Sequence, residues 1–517
     1  MLIFKSKKMK KILVIATMLA ISASCSDDYL ESDLENIVTD ETISELAEES
    51  PEALLSTASS FDTGTINNMR TFNVAGSGGN HNDYGQKSID LMMDIMSNDM
   101  IDSNNGWWYD DLYKYIGRTQ ESGTETNTIW DYYYEIIKGA NQTITLIGGL
   151  DESVLTQDLT YVLSRSKVVR GLAYLQLIQI YQKGNPAMSD AGVPIIDPTA
   201  DLVNGPGFGR LTVQDVYDQI ESDLKEGYDG LEGFSRPDKT VINQNIAAGY
   251  LARFYLLSKD YTKAIQFAEI AKSAGSLAAD QLLDGFQYIS NPEWLWGADI
   301  NGDTSSIYAS FFAQMQSYSP VQKSAIGVTP GYTGQLGHHR TVDVRLYNAV
   351  ASTDVRSNWF GPDNGFIDQP KEGQIYNYKF YDDTFFEADY VYMRVAEMYL
   401  IIAEAKASSG DDAGAAQELF DLVSTRDNAY TRSTNSGSSL MEEIRLHRRI
   451  ELWGEGFGLL DMKRWNVGLV RDFEGTTHPN SPSSFFNIPA GDARFTFQIP
   501  ETEINLNDAI TPADQNQ

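Results

Sequence analysis

The chain has 517 residues, of which 72 are acidic and 39 are Lys or Arg, giving a formal charge of −33. That length could hold roughly two to four domains, yet no Pro- or Gly-rich linker divides it. So acidic a chain is excluded as a binder of phosphate backbones, which demand a basic surface, and it suits neutral or cationic ligands.

Residues 1–24 read MLIFKSKKMKKILVIATMLAISAS: Lys5, Lys7, Lys8, Lys10 and Lys11 precede a short apolar run. This is the pattern of a secretory signal peptide, with an apolar segment too short to span a bilayer. The single cysteine, Cys25, follows at once and resembles the lipobox of bacterial lipoproteins. Cleavage before it and lipid attachment at its sulfur are expected. One thiol can form neither an intramolecular disulfide nor a CxxC metal site. Asp27, Asp28 and Glu31 come next, resembling the signals that send some Gram-negative lipoproteins to the outer face of the outer membrane. Residues 25–50 have the composition of an acidic, lipidated tether leading into the fold. No later stretch holds the eighteen or more apolar residues of a transmembrane helix, so residues 51–517 are expected to form a single soluble domain.

Helical periodicity dominates that domain. Segments 130–147 and 164–184 each read as an apolar-faced helix, and the second is expected to pair with a helix over 212–227. Two further segments, 247–275 and 395–426, repeat each other: aligning Ala252 with Ala403 also aligns Asp260 with Asp411 and Ala264 with Ala415. Small residues at those spacings let antiparallel helices approach closely, as in tetratricopeptide hairpins. The expected fold is mostly α, a tetratricopeptide-like helical-hairpin scaffold with long loop-rich excursions and minor β. The largest excursion, about 276–390, is rich in Gly, Asn, Ser, Tyr and Trp. Within it NPEWLWGADI and EGQIYNYKFYDD alternate like strands. Loops of that length usually carry a binding surface.

The stretch MEEIRLHRRIELWGEGFGLLDMKRWN, residues 441–466, carries Arg448, Arg449, Glu451, Leu452, Glu455, Gly456, Asp461, Arg464 and Trp465. It resembles the C-terminal pattern of the SusD/RagB-like surface lipoproteins. DYLES, WDYYYEIIKGAN, VVRGLAYLQLIQIYQKGNPA, LARFYLLSKDYTKAIQFA, DVRSNW, VYMRVAEMYLIIAEA and FTFQIPETEINLN follow that family's order along nearly the whole chain. The resemblance implies a SusD-like helical scaffold with a looped ligand-facing side. It also implies a non-catalytic lipoprotein of the outer membrane, facing the cell surface. Its partner would be a SusC-like TonB-dependent transporter, on which it sits as a lid and to which it delivers nutrient, usually an oligosaccharide.

Other chemistries find little support. Glu451 and Glu455 lie four residues apart, as paired carboxylates of a glycoside hydrolase might, but interleaved arginines, with Arg448 in reach of Glu451, would hold both ionised and remove the general acid. The five histidines, His81, His338, His339, His447 and His478, show no metal-ligand spacing. Asp-rich loops such as DDTFFEAD leave a structural calcium open, without EF-hand spacing; no other cofactor is expected. GPGFG at 205–209 lacks the lysine of a phosphate cradle, and no GxSxG elbow occurs.

Aromatic residues are the informative class. Trp107, Trp108 and Tyr109 follow a Ser-Asn-Asn-Gly turn, and three consecutive bulky rings cannot all face inward from one helix or strand. A sugar's C–H-rich face lies well on an aromatic plane while its hydroxyls bond to Asn, Asp and backbone. The candidate ligand residues are therefore Trp107, Trp108, Tyr109, Asn98, Asp99 and Asn104. From the excursion, where the family's second ligand loop falls, come Tyr308, Phe311, Tyr318 and Tyr332. For each aromatic the alternative is an ordinary core role. Peptide binding by the same scaffold, a secreted glycoside hydrolase and a pure assembly scaffold are the competing functions.

Overall fold

The computed structural model describes residues 50–104, 108–116, 121–199, 205, 207–317, 331–479 and 486–516. The chain divides into Met1–Leu54, of which only 50–54 are described, and Leu55–Gln517, which holds everything discussed below except the first turn of α1. The leader, Cys25 and the tether up to residue 49 lie outside the described residues. No described helix is long and apolar enough to cross a membrane.

The main helices are α1 (Pro51–Asn68), α2 (Gln86–Ile95), α3 (Thr124–Gly148), α4 (Gln157–Tyr181), α5 (Val213–Gly230), α6 (Gln244–Ser258), α7 (Tyr261–Lys272), α8 (Val395–Ser408), α9 (Asp412–Val423), α10 (Gly437–Glu451) and α11 (Gly458–Trp465). Each helix from α3 to α8 packs on the one that follows it. The repeat seen in sequence has a concrete cause. In α6–α7 the turn residue Lys259 adopts a left-handed φ of 67°, and Asp260 caps α7 by accepting the Lys263 N–H at 3.1 Å. In α8–α9 the turn residue Gly410 has φ 88°, and Asp411 caps α9 by accepting the Gly414 N–H at 2.9 Å. A left-handed residue ends one helix and a carboxylate opens the next. Ala252, Ala264, Ala403 and Ala415 are all fully buried between the helices they join. Between α4 and α5 the contact is instead a buried fork, with Arg170 donating to Asp223 at 2.8 and 2.7 Å.

The excursion contributes the β structure. Strands β1 (Met100–Asp102), β3 (Arg340–Val342), β5 (Ile375–Asn377) and β4 (Phe360–Gly361) form an antiparallel sheet in that order. Strand β2 (Trp294–Ala298) pairs separately with β6 (Tyr390–Arg394). Both strand-like stretches of the sequence are thus strands, and Trp294 and Trp296 are buried. Short helices at Phe311–Met315, Tyr332–Gln335 and Val344–Ala349 punctuate the same region.

A buried ion-pair network joins these helices and the excursion. Arg394 reaches Glu293 (3.1 Å), Glu451 (3.0 Å) and Glu455 (2.8 Å); Arg426 reaches Glu293 (2.7 Å) and Glu451 (3.0 Å). Arg356 binds Asp354 (2.6 Å) and Glu451 (3.0 Å), and Lys379 binds Glu455 at 2.7 Å. The partners differ from the sequence expectation in one respect: Arg448 pairs with Asp461 at 2.7 Å, not with Glu451. Glu451 ends α10, where the backbone turns away, so its carboxylate faces the excursion rather than the preceding turn. Burial opposes the charge on Glu455, but Arg394 and Lys379 outweigh it and hold its pKa at about 2. Arg426, Arg394 and Arg356 likewise overcome burial and keep Glu451 well below the usual carboxylate range.

Replacing Glu451 with Gln takes one of the carboxylate partners from each of three buried arginines, Arg356, Arg394 and Arg426, and should lower the unfolding free energy by about 3 to 5 kcal/mol, read by chemical denaturation. Because the folded pKa of Glu455 lies below its ordinary 4.5, the stabilisation it supplies is complete above pH 4.5 and is lost as pH falls through about 2. Thermal melting between those limits should therefore fall less steeply in Glu455→Gln than in the wild type.

Candidate functional site

Four aromatic rings from four separate segments meet at the surface. His81 sits 5.3 Å from Trp108, centroid to centroid, and lies nearly parallel to Tyr308 at 6.2 Å and 9°. Tyr332 stands edge-on to both His81 (5.8 Å, 70°) and Tyr308 (5.1 Å, 74°). The Tyr332 hydroxyl and His81 Nδ1 share a hydrogen bond of 2.6 Å. Tyr308 is 39% exposed, whereas the other three are half-buried.

Each ring is held from beneath by buried polar bonds. The loop carrying His81 is pinched shut at Gly85, where φ is 79° and any Cβ would fall 2.2 Å from the Met69 carbonyl oxygen. Gln86 N–H donates to that same oxygen at 2.8 Å. From this loop Asn82 donates to the Trp108 carbonyl at 3.2 Å, and Tyr84 shares a 2.8 Å hydrogen bond with Tyr109. His81 thus faces outward while its neighbours clamp the 108–109 segment. Gln314, fully buried, donates to the Tyr308 carbonyl at 3.1 Å. Just before Tyr308, Ile307 takes φ 50°, a backbone region that a β-branched residue rarely adopts. Thr333 ties the short helix of Tyr332 down by donating to the Ala313 and Gln314 carbonyls at 3.0 and 3.2 Å. Phe311 and Phe312, buried beside them, anchor the excursion.

Of the residues expected from sequence to meet a ligand, Trp108, Tyr308 and Tyr332 come together here. Trp107 and Tyr318 lie outside the described residues. Tyr109 and Phe311 require correction: both are buried, Tyr109 against Tyr84 and Phe311 under the Lys87 ammonium at 4.5 Å, so they support the patch from within. Asn98 and Asp99 do not join the patch, because they stand at the far end of β1. Asn98 donates to the Gly468 carbonyl at 3.0 Å and accepts from Val470 N–H at 2.8 Å, while Asp99 pairs with Arg449 at 2.8 Å. Asn104 is half-buried at the near end of β1. His81 was missed as a member of the patch, since sequence reasoning weighed it only as a metal ligand. The available signal was its position in the polar, glycine-rich run GSGGNHNDYG. Among the described residues no group of three or more His, Cys, Asp or Glu is placed to hold a metal ion.

Comparison with known proteins bears on this arrangement. The sequence matches a model described as the SusD family over residues 339–517, and one described as starch-binding associating with outer membrane over residues 48–256. It is 22% identical to a SusD-like protein of Bacteroides ovatus, covering 88% of this chain and 82% of the relative. A SusD-like carbohydrate binding protein from Bacteroides vulgatus superposes with a TM-score of 0.76 at 23% identity, covering 90% of this chain and 98% of the other. A SusD superfamily protein from Bacteroides thetaiotaomicron gives 0.72 at 22% identity, covering 90% and 99%. Surface glycan-binding protein A from Bacteroides fluxus gives 0.65 at 17% identity, covering 87% and 96%.

Burial lowers the pKa of His81 below its ordinary 6.5, so the imidazole at the centre of the patch is neutral at pH 7. Its contribution to stability is complete above pH 6.5 and is lost as pH falls through the depressed folded value. NMR titration of His81 should give a midpoint below 6.5; a midpoint at or above it would contradict the packing described.

Proposed function

Because this chain belongs to the SusD/RagB-like family, we propose that it captures oligosaccharide or polysaccharide on the His81, Trp108, Tyr308 and Tyr332 patch and delivers it to a SusC-like TonB-dependent transporter. The observation that carries this reading is the patch itself, an exposed ring and three half-buried ones packed together, with polar bonds from neighbouring side chains to the backbone that carries them. Rings fixed before binding lose little freedom when a ligand arrives. Their apolar faces suit the C–H face of a neutral sugar, and the Asn- and Ser-rich loops around them offer partners for its hydroxyls. The strongly acidic chain agrees with a neutral ligand. The carbohydrate-binding relatives of the same fold support it further.

In this reading the protein is anchored through Cys25 at the outer face of the outer membrane. It binds without turnover. Glu451 and Glu455 are held ionised inside the arginine network, so neither can serve as the general acid of a hydrolase. Weak affinity for a single sugar segment is sufficient, since the anchor and the transporter keep the site at high effective concentration over the channel.

Calorimetric titration of the purified mature protein against an oligosaccharide panel tests the reading, with a Trp108→Ala/Tyr308→Ala variant alongside. Saturable binding weakened at least tenfold in the variant, with no sugar released, is the expected result. Released product would instead indicate a hydrolase. Silence across the panel from a folded protein that binds peptides would transfer the patch to the peptide reading.

A further inference from the structure

A second cleft shares no lining residue with the aromatic patch. Its volume is about 500 Å³, and it opens between the second half of α1, Arg165 of α4, the loop 238–241 that leads into α6, and the end of β2. Ile66, Val241 and Ile289, each half-buried, give it apolar walls. The space is enough for a small ligand of about one sugar ring.

Cations reach this cleft from three segments, as Arg70, Arg165 and Lys239, with Arg236 behind the same loop. Arg165 gives its Nε to Asp62 at 2.7 Å, and its guanidinium lies 5.4 Å over the Phe234 ring. These contacts fix the group and leave its outer edge open. Neither Nη1 nor Nη2 meets an acceptor among the described residues, and neither is closed off from solvent. The other three donate to neutral oxygens. Arg70 reaches Asn67 Oδ1 at 2.9 Å and the Asp299 carbonyl, Lys239 the Asn291 carbonyl at 2.5 Å, and Arg236 the Leu295 carbonyl at 2.7 Å. Among the described residues none of the three has a carboxylate within ion-pair distance. A carbonyl satisfies a donor without cancelling its charge, so the loop keeps positive charge that nothing neutralises. Burial and the nearby Arg236 accordingly lower the pKa of Lys239 below its ordinary 10.5.

The flanking elements set the spacing. Arg165 meets α1 at Asp62 and Arg70 meets it at Asn67, about 8 Å further along the helix axis. Gly297 N–H donates to the Lys239 carbonyl at 3.2 Å, and Arg70 reaches the Asp299 carbonyl about 7 Å further along the same chain. The acids restrict what can enter. Asp62 is taken by Arg165 and by Ser166 at 3.1 Å, and Asp238 Oδ1 accepts the Thr240 N–H and hydroxyl at 2.8 and 2.6 Å. Asp389, behind the wall, accepts the Ile289 and Ile300 N–H groups at 2.8 and 2.9 Å. Asp299 and Asn301 stand exposed at the outer rim, free to accept from hydroxyl groups. So many carboxylates disfavour a dianion. A single carboxylate, whose two oxygens match the open Nη1 and Nη2 of Arg165, fits the inner end, and a hydroxylated body fits the rim.

We propose that this cleft is a separate binding site for a singly charged sugar acid, its carboxylate on the open edge of Arg165 beside Lys239 and its hydroxyls toward Asp299 and Asn301. The site does not depend on the glycan reading of the aromatic patch. Isothermal titration of the mature protein with glucuronate and galacturonate tests it, with glucose, acetate and inorganic phosphate as comparators. Saturable binding of a uronate, about tenfold or more tighter than any comparator, is the expected result. Arg165→Lys keeps a charge opposite Asp62 but removes the paired donors, and Lys239→Gln removes a charge while keeping a donor for the Asn291 carbonyl; each should weaken binding about tenfold. Ser290→Trp, at an exposed position of the rim, should block it. The Trp108→Ala/Tyr308→Ala variant should bind uronate as the wild type does. No saturable uronate binding by the folded wild type would overturn the proposal. So would glucose, acetate or phosphate binding as tightly as the uronates, or uronate binding that survives Ser290→Trp or disappears with the aromatic variant.

Discussion

One carboxylate, Glu451, lies where arginines from three separate segments converge, and the placement of the remaining elements follows from that neutralisation. Arg356 comes from the short turn before β4, Arg394 from the end of β6 and Arg426 from the chain just after α9. Burying one such charge alone is prohibitive, and removing any member leaves its partners unpaired. The segments are therefore fixed relative to one another by the requirement that charges cancel. Lys379 extends the constraint by donating to the Glu451 and Trp453 carbonyls at 2.9 and 2.7 Å, which holds the chain leaving α10 against the excursion.

This arrangement explains how a region with so little regular structure can present a defined surface. The excursion is fastened at one side by buried charge and at another by buried aromatic residues, among them Phe311, Phe312, Trp294 and Trp296. Between those attachments short segments cross the surface, each fixed by side chains that donate to backbone carbonyls. Gln314 and Thr333 do this for Tyr308 and Tyr332, and Asn82 does it for Trp108. The rings are thereby oriented by groups that do not themselves reach a ligand. The helices supply the rigid support, and irregular backbone supplies the shape.

Charge is distributed with the same economy. The chain is acidic as a whole, yet arginines gather in the buried network, as Arg356, Arg394 and Arg426, and in the wall of a cavity beside α10, as Arg345, Arg445, Arg448 and Arg449. In the first, every carboxylate has a cation. In the second, two guanidinium groups retain unused donors. Sequence spacing could not separate these two situations, because Arg445, Arg448, Arg449, Glu451 and Glu455 lie on consecutive turns and read as one pattern. The turn after Glu451 sends its carboxylate into the interior and leaves Arg448 with Asp461.

Local rules were legible in the sequence. Helical periodicity, small residues at matched spacings and the repeated aspartates announced the hairpins, because each depends on residues within a few positions of one another. The repeat of Asp260 at Asp411 is of this kind, and so is the strand-like alternation of NPEWLWGADI. Local geometry likewise forbids three successive aromatic residues from all facing inward: Tyr109 turns inward and Trp108 stays half-buried. What the sequence could not supply was which distant residues meet. His81, Trp108, Tyr308 and Tyr332 span some 250 positions, and their convergence depends on the pinch at Gly85 and on long-range bonds from Asn82, Gln314 and Thr333. Asn98 and Asp99 were placed at the patch because they are near Trp108 in sequence, but an extended β1 carries them away from it. By itself the sequence determined the scaffold and the kind of residue available for binding, since both follow from short-range periodicity and composition. Only the tertiary structure decided which of those residues share a surface, because that depends on how buried charges and hydrogen bonds are satisfied across the whole chain.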